Sequence, residues 1–219
     1  IHYSRLLKQR YPELPIVWGG YHPSLLPEQC AAEDYVDAVV KGQGERTFQE
    51  IVSRLESGRG FEGGAGVIYR NDDGEVTVNP GRPMADVDEF PRAPYELLDI
   101  ERFFKLNGGR RSLQYISSQG CPYKCTFCVE PKVFGAWKAR NGAKIVDELA
   151  ELDRRYHLEH VSFADANFMY DRRRVEIMCN GLLERPLKIT WSGTARADQA
   201  VKIEPEMSRL MSRSGGYQI

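Results

Sequence analysis

The sequence predicts an α/β protein with parallel sheets, and two observations support this class. Short apolar runs alternate with amphipathic segments of helical period along the 219 residues. Strands that alternate with helices form βαβ units, in which the strands lie parallel and the helices cover the sheet. The hydrophobic fraction of 42% and the charged fraction of 28% are those of an ordinary globular protein. We therefore expect buried parallel strands, each followed by a loop and a helix.

The first part of the chain carries signals for two strands, one helix and one hairpin. Apolar residues 14–18 end at Gly19-Gly20, and apolar residues 35–40 end at a second glycine loop, so both runs predict buried strands. Between residues 48 and 55, apolar side chains recur with the spacing of one helix face. The turn sequence at residues 71–74 predicts a β-hairpin.

A strand–loop–helix unit repeats in the second part of the chain. Residues 113–117, 160–163 and 187–191 predict three strands, and a fourth strand is expected at Tyr217. A closed barrel of eight such units needs about 250 residues, so we expect only part of a barrel here. The chain has no initiator Met and stops as an apolar segment begins, which predicts a piece of a longer protein.

These patterns predict a first domain at residues 1–79, a linker at residues 80–111 and a second domain at residues 112–219. The linker is predicted because it carries four prolines and a Gly-Gly pair. Proline and glycine interrupt regular elements and favour extended or turn conformations. We therefore expect the chain to cross from one domain to the next within this stretch.

Charge and hydropathy exclude some classes of function. The 30 basic and 31 acidic residues give a net charge of −1, which offers no electrostatic footprint for nucleic acid. The basic run Arg172-Arg173-Arg174 is predicted to be a solvated helix face. No stretch approaches the roughly 20 apolar residues of a membrane span. The chain also has no apolar signal segment at its start, so a cytoplasmic location is predicted.

The cysteines predict a metal site. The chain has five, and Cys121, Cys125 and Cys128 fall within eight residues, a spacing that lets one loop wrap three thiolates around a compact centre. A disulfide framework would spread an even number of cysteines through a small secreted chain. Structural zinc needs four closed ligands, and Cys30 and Cys179 lie far away in sequence. Zinc binding and a redox or incidental cluster of cysteines remain as alternatives.

An ordinary iron–sulfur carrier supplies four cysteines, so three leave one iron without a protein ligand. The run Cys121 to Cys128 resembles CxxxCxΦC, the signature of radical S-adenosylmethionine (SAM) enzymes, with Phe127 as the aromatic residue Φ. The resemblance implies a [4Fe–4S] cluster on the three cysteines whose open iron chelates SAM. It implies reductive cleavage of SAM to methionine and a 5′-deoxyadenosyl radical, and it places Phe127 beside the adenine.

Polar residues follow each predicted barrel strand, where functional groups gather in parallel barrels. An Asp or Asn in such a place is also a common helix cap. Residues 163–168 resemble the F-x-D-D-N-F element of the cobalamin-linked radical SAM branch, with Ala166 in place of the second Asp. The resemblance implies that Asp165 and Asn167 help to hold SAM. Arg196 is a candidate for contacting the SAM carboxylate or the substrate, with a surface ion pair as the alternative.

The first part of the chain carries two further resemblances. Residues 18–23 and 41–48 resemble landmarks of the Rossmann-like cobalamin-binding domain that precedes the barrel in one large radical SAM class, which includes methylases and an anaerobic porphyrin-ring cyclase. The resemblance implies a partial cobalamin-binding domain followed by a partial (β/α) radical SAM barrel. It implies that Gly19 and Gly20 let the backbone approach cobalamin, although a Gly-Gly pair can also be a simple turn. The motif Asp-x-His-x-x-Gly, whose His can ligate cobalt, is absent.

The resemblance implies a cobalamin-dependent enzyme with three cofactors: the [4Fe–4S] cluster, SAM and cobalamin. Methyl transfer to an unactivated carbon is the first expectation, and ring formation is the second. A small-molecule substrate and an external electron donor such as flavodoxin or ferredoxin are expected partners. The alternative is an iron–sulfur electron-transfer or sensing module, in which Cys30 or Cys179 would supply a fourth ligand. A piece with open strand edges could also be inactive alone. No protein side chain is predicted to be catalytic. Cys30, Cys179, His157 and His160 are predicted to be structural, and His22 is not expected to be a ligand.

Overall fold

The computed structural model describes residues 1–185 and 187–219. The chain divides into two compact units, one of residues 1–85 with 122–136 and one of residues 86–121 with 137–219. Both contain parallel strands with helices beside them, so the predicted α/β class is confirmed. The domain boundaries predicted at residues 79 and 111 stay a prediction.

The first unit is built on a four-stranded sheet. Its strands are β1 (Val17–Trp18), β2 (Ala38–Val40), β3 (Val67–Arg70) and β4 (Val76–Val78), in that order across the sheet. Strands β1 and β2 run parallel, whereas β2, β3 and β4 pair antiparallel. Its longer helices are α1 (His2–Arg10) and α4 (Glu45–Glu56), and its short helices are α2 (Tyr21–Leu25), α3 (Pro27–Ala31) and α6 (Glu130–Val133).

Strand β2 shows why this part of the sequence reads as a continuous apolar run. Val39 packs with Cys30 and Ile68 on one face of the sheet, while Ala38 and Val40 pack with Ile51 on the other. A strand buried on both faces has no position for a polar side chain. The hairpin predicted at residues 71–74 is also present, because β3 and β4 pair on either side of it.

The second unit is built on a sheet of four parallel strands. Its order is β10 (Gly216–Gln218), β9 (Thr190–Ser192), β8 (His160–Phe163) and β5 (Ser112–Tyr115). Helices α7 (Gly142–Tyr156), α8 (Arg172–Leu183) and α10 (Pro205–Arg213) connect these strands, and α5 (Ile100–Leu106) and α9 (Ala197–Ala200) are shorter. A separate antiparallel pair, β6 (Ser118–Gly120) and β7 (Trp137–Ala139), flanks the cysteine loop in sequence.

The core of the second unit lies on one face of this sheet. Tyr115, Phe163 and Trp191 are buried there with residues of α7, α8 and α10, and the polar residues between them point to the other face. Side chains on a strand alternate between faces, so this pattern sets the register of the sheet. Among the helices that the structure describes, none is both long and apolar enough to cross a membrane.

Candidate functional site

The cysteine loop begins where strand β6 ends. Gly120 has a φ of 75°, a conformation that favours glycine, and Cys121 follows it directly. Further along the loop, the backbone N–H of Cys128 donates to the carbonyl of Cys125 at 3.1 Å, which makes a turn. All three cysteines are partly exposed, and none of the five cysteines, all of which are described, forms a disulfide. Thiols in this state can serve as ligands once they are deprotonated.

The metal ligands themselves stay a prediction. Residues 1–185 and 187–219 contain no group of three or more His, Cys, Asp or Glu side chains placed to hold a metal ion. Cys121 belongs to the second unit, whereas Cys125 and Cys128 belong to the first. The assignment of these three cysteines therefore rests on their spacing in the sequence.

The two other cysteines lie inside hydrophobic clusters. Cys30 in α3 is 2% exposed and Cys179 in α8 is fully buried. Burial raises the pKa of the Cys30 thiol, and it raises the pKa of Cys179 to about 11. Burial disfavours the thiolate that a metal needs. Both positions therefore fit the packing role predicted for them.

Asp165 follows strand β8, and its side chain is fully buried. Its Oδ1 accepts the backbone N–H groups of Ser117 at 2.7 Å and Ser118 at 3.0 Å. Its Oδ2 accepts the Ser117 hydroxyl at 2.5 Å and Arg174 Nη2 at 3.5 Å. Both carboxylate oxygens are thus engaged within the protein. They hold the chain between β5 and β6, a few residues before Cys121.

Arg174 is the functional neighbour that sequence reasoning missed. It was predicted on a solvated face with Arg172 and Arg173, which are exposed, but Arg174 is 5% exposed. Its guanidinium donates to the Ser117 hydroxyl at 2.8 Å and to the Phe168 carbonyl at 2.8 Å. The prediction for Arg174 was wrong because a run of like residues at a helix start has one member on the inner face of the helix.

Asn167 lies two residues beyond Asp165 and has the opposite environment. It is 1% exposed, and neither its Oδ1 nor its Nδ2 has a hydrogen-bond partner in the described part of the chain. Trp137 Nε1 and Ser118 Oγ are buried without partners as well, and Trp137 packs on Tyr170 at 4.8 Å. Buried polar groups in native proteins are nearly always paired with protein or water. These atoms therefore fit a polar ligand that binds beside strands β6 and β8.

The other predicted side chains of this region are more exposed. Phe127 is 90% exposed, so its ring is available to a ligand. Arg196 pairs with Asp198 at 2.9 Å and both side chains are partly exposed, which matches the ion-pair alternative. A role of either residue in SAM binding stays a prediction.

Gly19 and Gly20 follow strand β1 in the first unit. Gly20 has a φ of 93°, and a Cβ placed on it would meet no atom within 4 Å. The space in front of this backbone is therefore open. Ser24, in the helix that follows, accepts the N–H of Gly42 at 2.9 Å and so joins the loops after β1 and β2. Ligands of open α/β sheets bind at the carboxyl ends of such parallel strands.

A cavity of about 220 Å³ lies at the end of β2. Its walls include Lys41, Gly42, Gln43 and Arg82, together with Phe134 of the segment that follows the cysteine loop. The walls also include the apolar residues Ile68, Val78 and Met84, so the lining is mixed.

Comparison with known proteins gives matches along nearly the whole chain. Residues 1–52 match the family model of the B12 binding domain. An uncharacterised methyltransferase from Pyrococcus horikoshii is 32% identical over 99% of this chain and 46% of its own length. The anaerobic magnesium-protoporphyrin IX monomethyl ester cyclase of Synechocystis is 27% identical over 95% of this chain and 42% of its own.

A solved structure shares the fold. The radical SAM methyltransferase TsrM from Kitasatospora setae, determined with cobalamin and a [4Fe–4S] cluster bound, superposes with a TM-score of 0.74 at 19% identity. The match covers 98% of this chain and 43% of that one. This chain thus spans slightly less than half the length of these relatives.

Proposed function

The chain is a relative, in sequence and in fold, of the cobalamin-binding class of radical SAM proteins, and from this premise we propose that it carries the cofactor-binding part of a cobalamin-dependent radical SAM enzyme. The observation that carries the proposal is the order of two features within one chain. A match to the B12 binding domain over residues 1–52 precedes a three-cysteine loop at residues 121–128. A simple iron–sulfur carrier has no use for the first feature.

Cys121, Cys125 and Cys128 would hold the cluster, and the remaining iron would be open to SAM. When bound, a [4Fe–4S] cluster supplies the electron that cleaves SAM to methionine and a 5′-deoxyadenosyl radical. The residues of this chain bind and orient the reactants. The buried polar atoms of Asn167 would contact SAM, Phe127 would cover the adenine, and Arg196 would reach the carboxylate of SAM. Gly19 and Gly20 would lie against cobalamin.

Asp165 and Asn167, the two candidate residues of the F-x-D-D-N-F-like element, differ in their hydrogen bonds. The carboxylate oxygens of Asp165 accept hydrogen bonds from Ser117, Ser118 and Arg174. Asp165 would therefore influence SAM only by positioning the chain that leads to Cys121. Neither polar side-chain atom of Asn167 has a hydrogen-bond partner within residues 1–185 and 187–219. We therefore assign Asn167 to direct contact and Asp165 to positioning.

Methyl transfer to an unactivated carbon is the leading reaction, since a relative that matches most of this chain is named a methyltransferase. Ring formation is the second candidate, because a cyclase also matches over most of the chain. A small-molecule substrate, a flavodoxin or ferredoxin as electron donor and a cytoplasmic location complete the proposal. The rival electron-transfer module would need a fourth thiolate, and the burial of Cys30 and Cys179 disfavours it.

Anaerobic reconstitution with iron and sulfide tests the cluster. The wild-type chain should bind iron and sulfide in equal amounts and turn brown, and Cys121→Ala, Cys125→Ala and Cys128→Ala should each lose most of both. Cys30→Ala and Cys179→Ala are matched controls that should keep them. One zinc ion per chain without sulfide, or loss of iron in Cys30→Ala, would contradict the proposal.

A further inference from the structure

Two glycine loops follow strands β1 and β2, at Gly19-Gly20 and at residues 42–44. A side-chain contact joins the residue after the first of them to the segment after the cysteine loop. The hydroxyl of Tyr21 donates to Oε1 of Glu130, across 109 positions of sequence. Tyr21 directly follows Gly20, and Glu130 lies two residues after Cys128. Both residues belong to the first unit. The contact therefore connects the first residue of α2 with the first residue of α6.

Further contacts make this junction a packed one. The rings of Tyr21 and Phe134 meet edge to face, with centroids 6.2 Å apart at 86°. The Val133 carbonyl lies so close to Gly42 that a Cβ there would stand 3.2 Å from it. Val133 and Phe134 also share the walls of the 220 Å³ cavity with Gly42. Helix α6 thus lies against both glycine loops.

The hydrogen bond from Tyr21 matters because Glu130 has few other partners. Its second oxygen, Oε2, is buried and makes no hydrogen bond within residues 1–185 and 187–219. Removing the Tyr21 hydroxyl would leave this carboxylate, one oxygen of which is shielded from water, without that donor. Without the Tyr21 hydroxyl, α6 would relax toward water. Since Cys128 precedes α6 and bonds to Cys125, such a shift would carry two cysteines with it.

We propose that Tyr21 and Glu130 are positioning residues that couple cobalamin binding at the glycine loops to the geometry of the cysteine loop. The inference rests on the proposed function. Cobalamin that orders Gly19 and Gly20 would hold Tyr21, and through Glu130 it would hold the backbone at Cys128. Coupling between two sites is reciprocal. A loaded cluster should therefore tighten cobalamin binding by the factor by which bound cobalamin tightens cluster binding.

The test compares hydroxocobalamin affinity in the full 219-residue chain before and after cluster reconstitution. For the wild type, the reconstituted protein should bind at least about fivefold more tightly, the lower end of typical couplings. In Tyr21→Phe this ratio should fall close to one. Tyr3→Phe is the matched control, an identical change at an exposed residue of α1, and it should keep the wild-type ratio.

Glu130 gives a second, independent arm. Glu130→Ala should remove the coupling, and the double variant with Tyr21→Phe should lose no more than either single one, since both act through one contact. Glu130→Gln keeps an acceptor for Tyr21 and should restore most of the ratio. Tyr21 is half exposed, so Tyr21→Phe should melt like the wild type in circular dichroism.

The outcomes separate the two proposals. If wild type binds cluster and cobalamin but shows no coupling, or if Tyr21→Phe and Glu130→Ala keep the wild-type ratio, the coupling is wrong and the proposed function stands. If the wild type binds neither cofactor, the proposed function fails and the coupling fails with it. A lower iron content in Tyr21→Phe that cobalamin cannot restore would also count against coupling.

Discussion

At the scale of single residues, Asp165 and Asn167 both follow strand β8 but differ in their contacts. The side chain of Asp165 accepts from four donors, whereas that of Asn167 has no hydrogen-bond partner among the described residues, although only Ala166 separates the two. The sequence motif suggested one shared role for both. Their different roles could not be predicted, because three of the four donors to Asp165 come from Ser117 and Ser118, 48 and 47 positions away.

Asn167→Ala should weaken SAM binding about tenfold, since loss of a ligand hydrogen bond costs about 1–2 kcal/mol. Equilibrium dialysis of radiolabelled SAM against the reconstituted chain measures this. Iron and sulfide content should not change, because Asn167 is not one of the three proposed cluster ligands. Asn180→Ala, an exposed position on α8, is the control. Unaltered SAM affinity in Asn167→Ala would remove this residue from the site.

Asp165→Asn should lower the free energy of unfolding by about 3–5 kcal/mol, because it leaves the buried Arg174 charge without its partner. The matched control is Asp198→Asn, which breaks an Arg–Asp pair on the surface and should change stability by at most about 1 kcal/mol. Urea unfolding of both variants gives the comparison. Equal effects would show that the buried pair does not hold the chain before Cys121.

At the scale of elements, the strands of the second sheet were predictable and the approach to the cysteine loop was not. Polar and apolar residues alternate in β5, β8 and β9, which reveals a sheet with one packed face. The strand predicted at residues 113–117 ends at Tyr115 instead. The amides of Ser117 and Ser118 bond to Asp165 rather than to a neighbouring strand, so the ladder stops there.

The polar face of that sheet carries a titratable histidine, His160, between two hydroxyl side chains. His160 lies between Thr190 Oγ1 at 2.8 Å and Ser192 Oγ at 3.0 Å. Burial, with a smaller contribution from Arg110, lowers the pKa of His160 below its ordinary 6.5. Protonation therefore favours the unfolded chain. The stability that neutral His160 contributes is present above a pH of about 6.5 and is lost as the pH falls through the folded pKa.

His160→Gln should flatten this part of the pH profile. Between pH values of about 7 and 5, the free energy of unfolding should fall less steeply in His160→Gln than in the wild type, because glutamine keeps hydrogen bonds without titrating. His2→Gln, at an exposed position of α1, should follow the wild type. Urea titrations at several pH values supply the slopes, and parallel profiles for all three proteins would refute the assignment.

At the scale of the whole molecule, local sequence reveals the two loops proposed to bind cofactors but not the contacts between them. The three cysteines and the Gly-Gly pair are recognisable because each lies within a few residues. The Tyr21–Glu130 hydrogen bond joins residues from opposite sides of a long insertion, and neither residue is unusual in its own segment. Only folding brings such pairs together.

Gly20→Ala should lower hydroxocobalamin affinity at least about fivefold, since a positive φ costs a side chain about 1–2 kcal/mol and the new methyl group enters the open space at the loop. Gly58→Ala is a matched control. Gly58 also has a positive φ, of 71°, with no atom near its Cβ position, but it lies after α4. Both variants should lose similar stability in urea, and only Gly20→Ala should lose affinity. Equal affinities would place cobalamin elsewhere.

The three tryptophans occupy three unlike surroundings. Trp191 is sealed in the core of the second unit, Trp137 lies partly open beside Tyr170, and Trp18 packs on Tyr35 and donates to Ser4 at 3.1 Å. Indole emission shifts to the blue when water is excluded, so each tryptophan should have its own emission maximum. Chains with two tryptophans changed to phenylalanine would each report by fluorescence on one place: the strand before the glycine pair, the exit of the cysteine loop, or the inner sheet. The three tryptophans are thus intrinsic fluorescence probes for the binding of the proposed iron–sulfur cluster and of cobalamin.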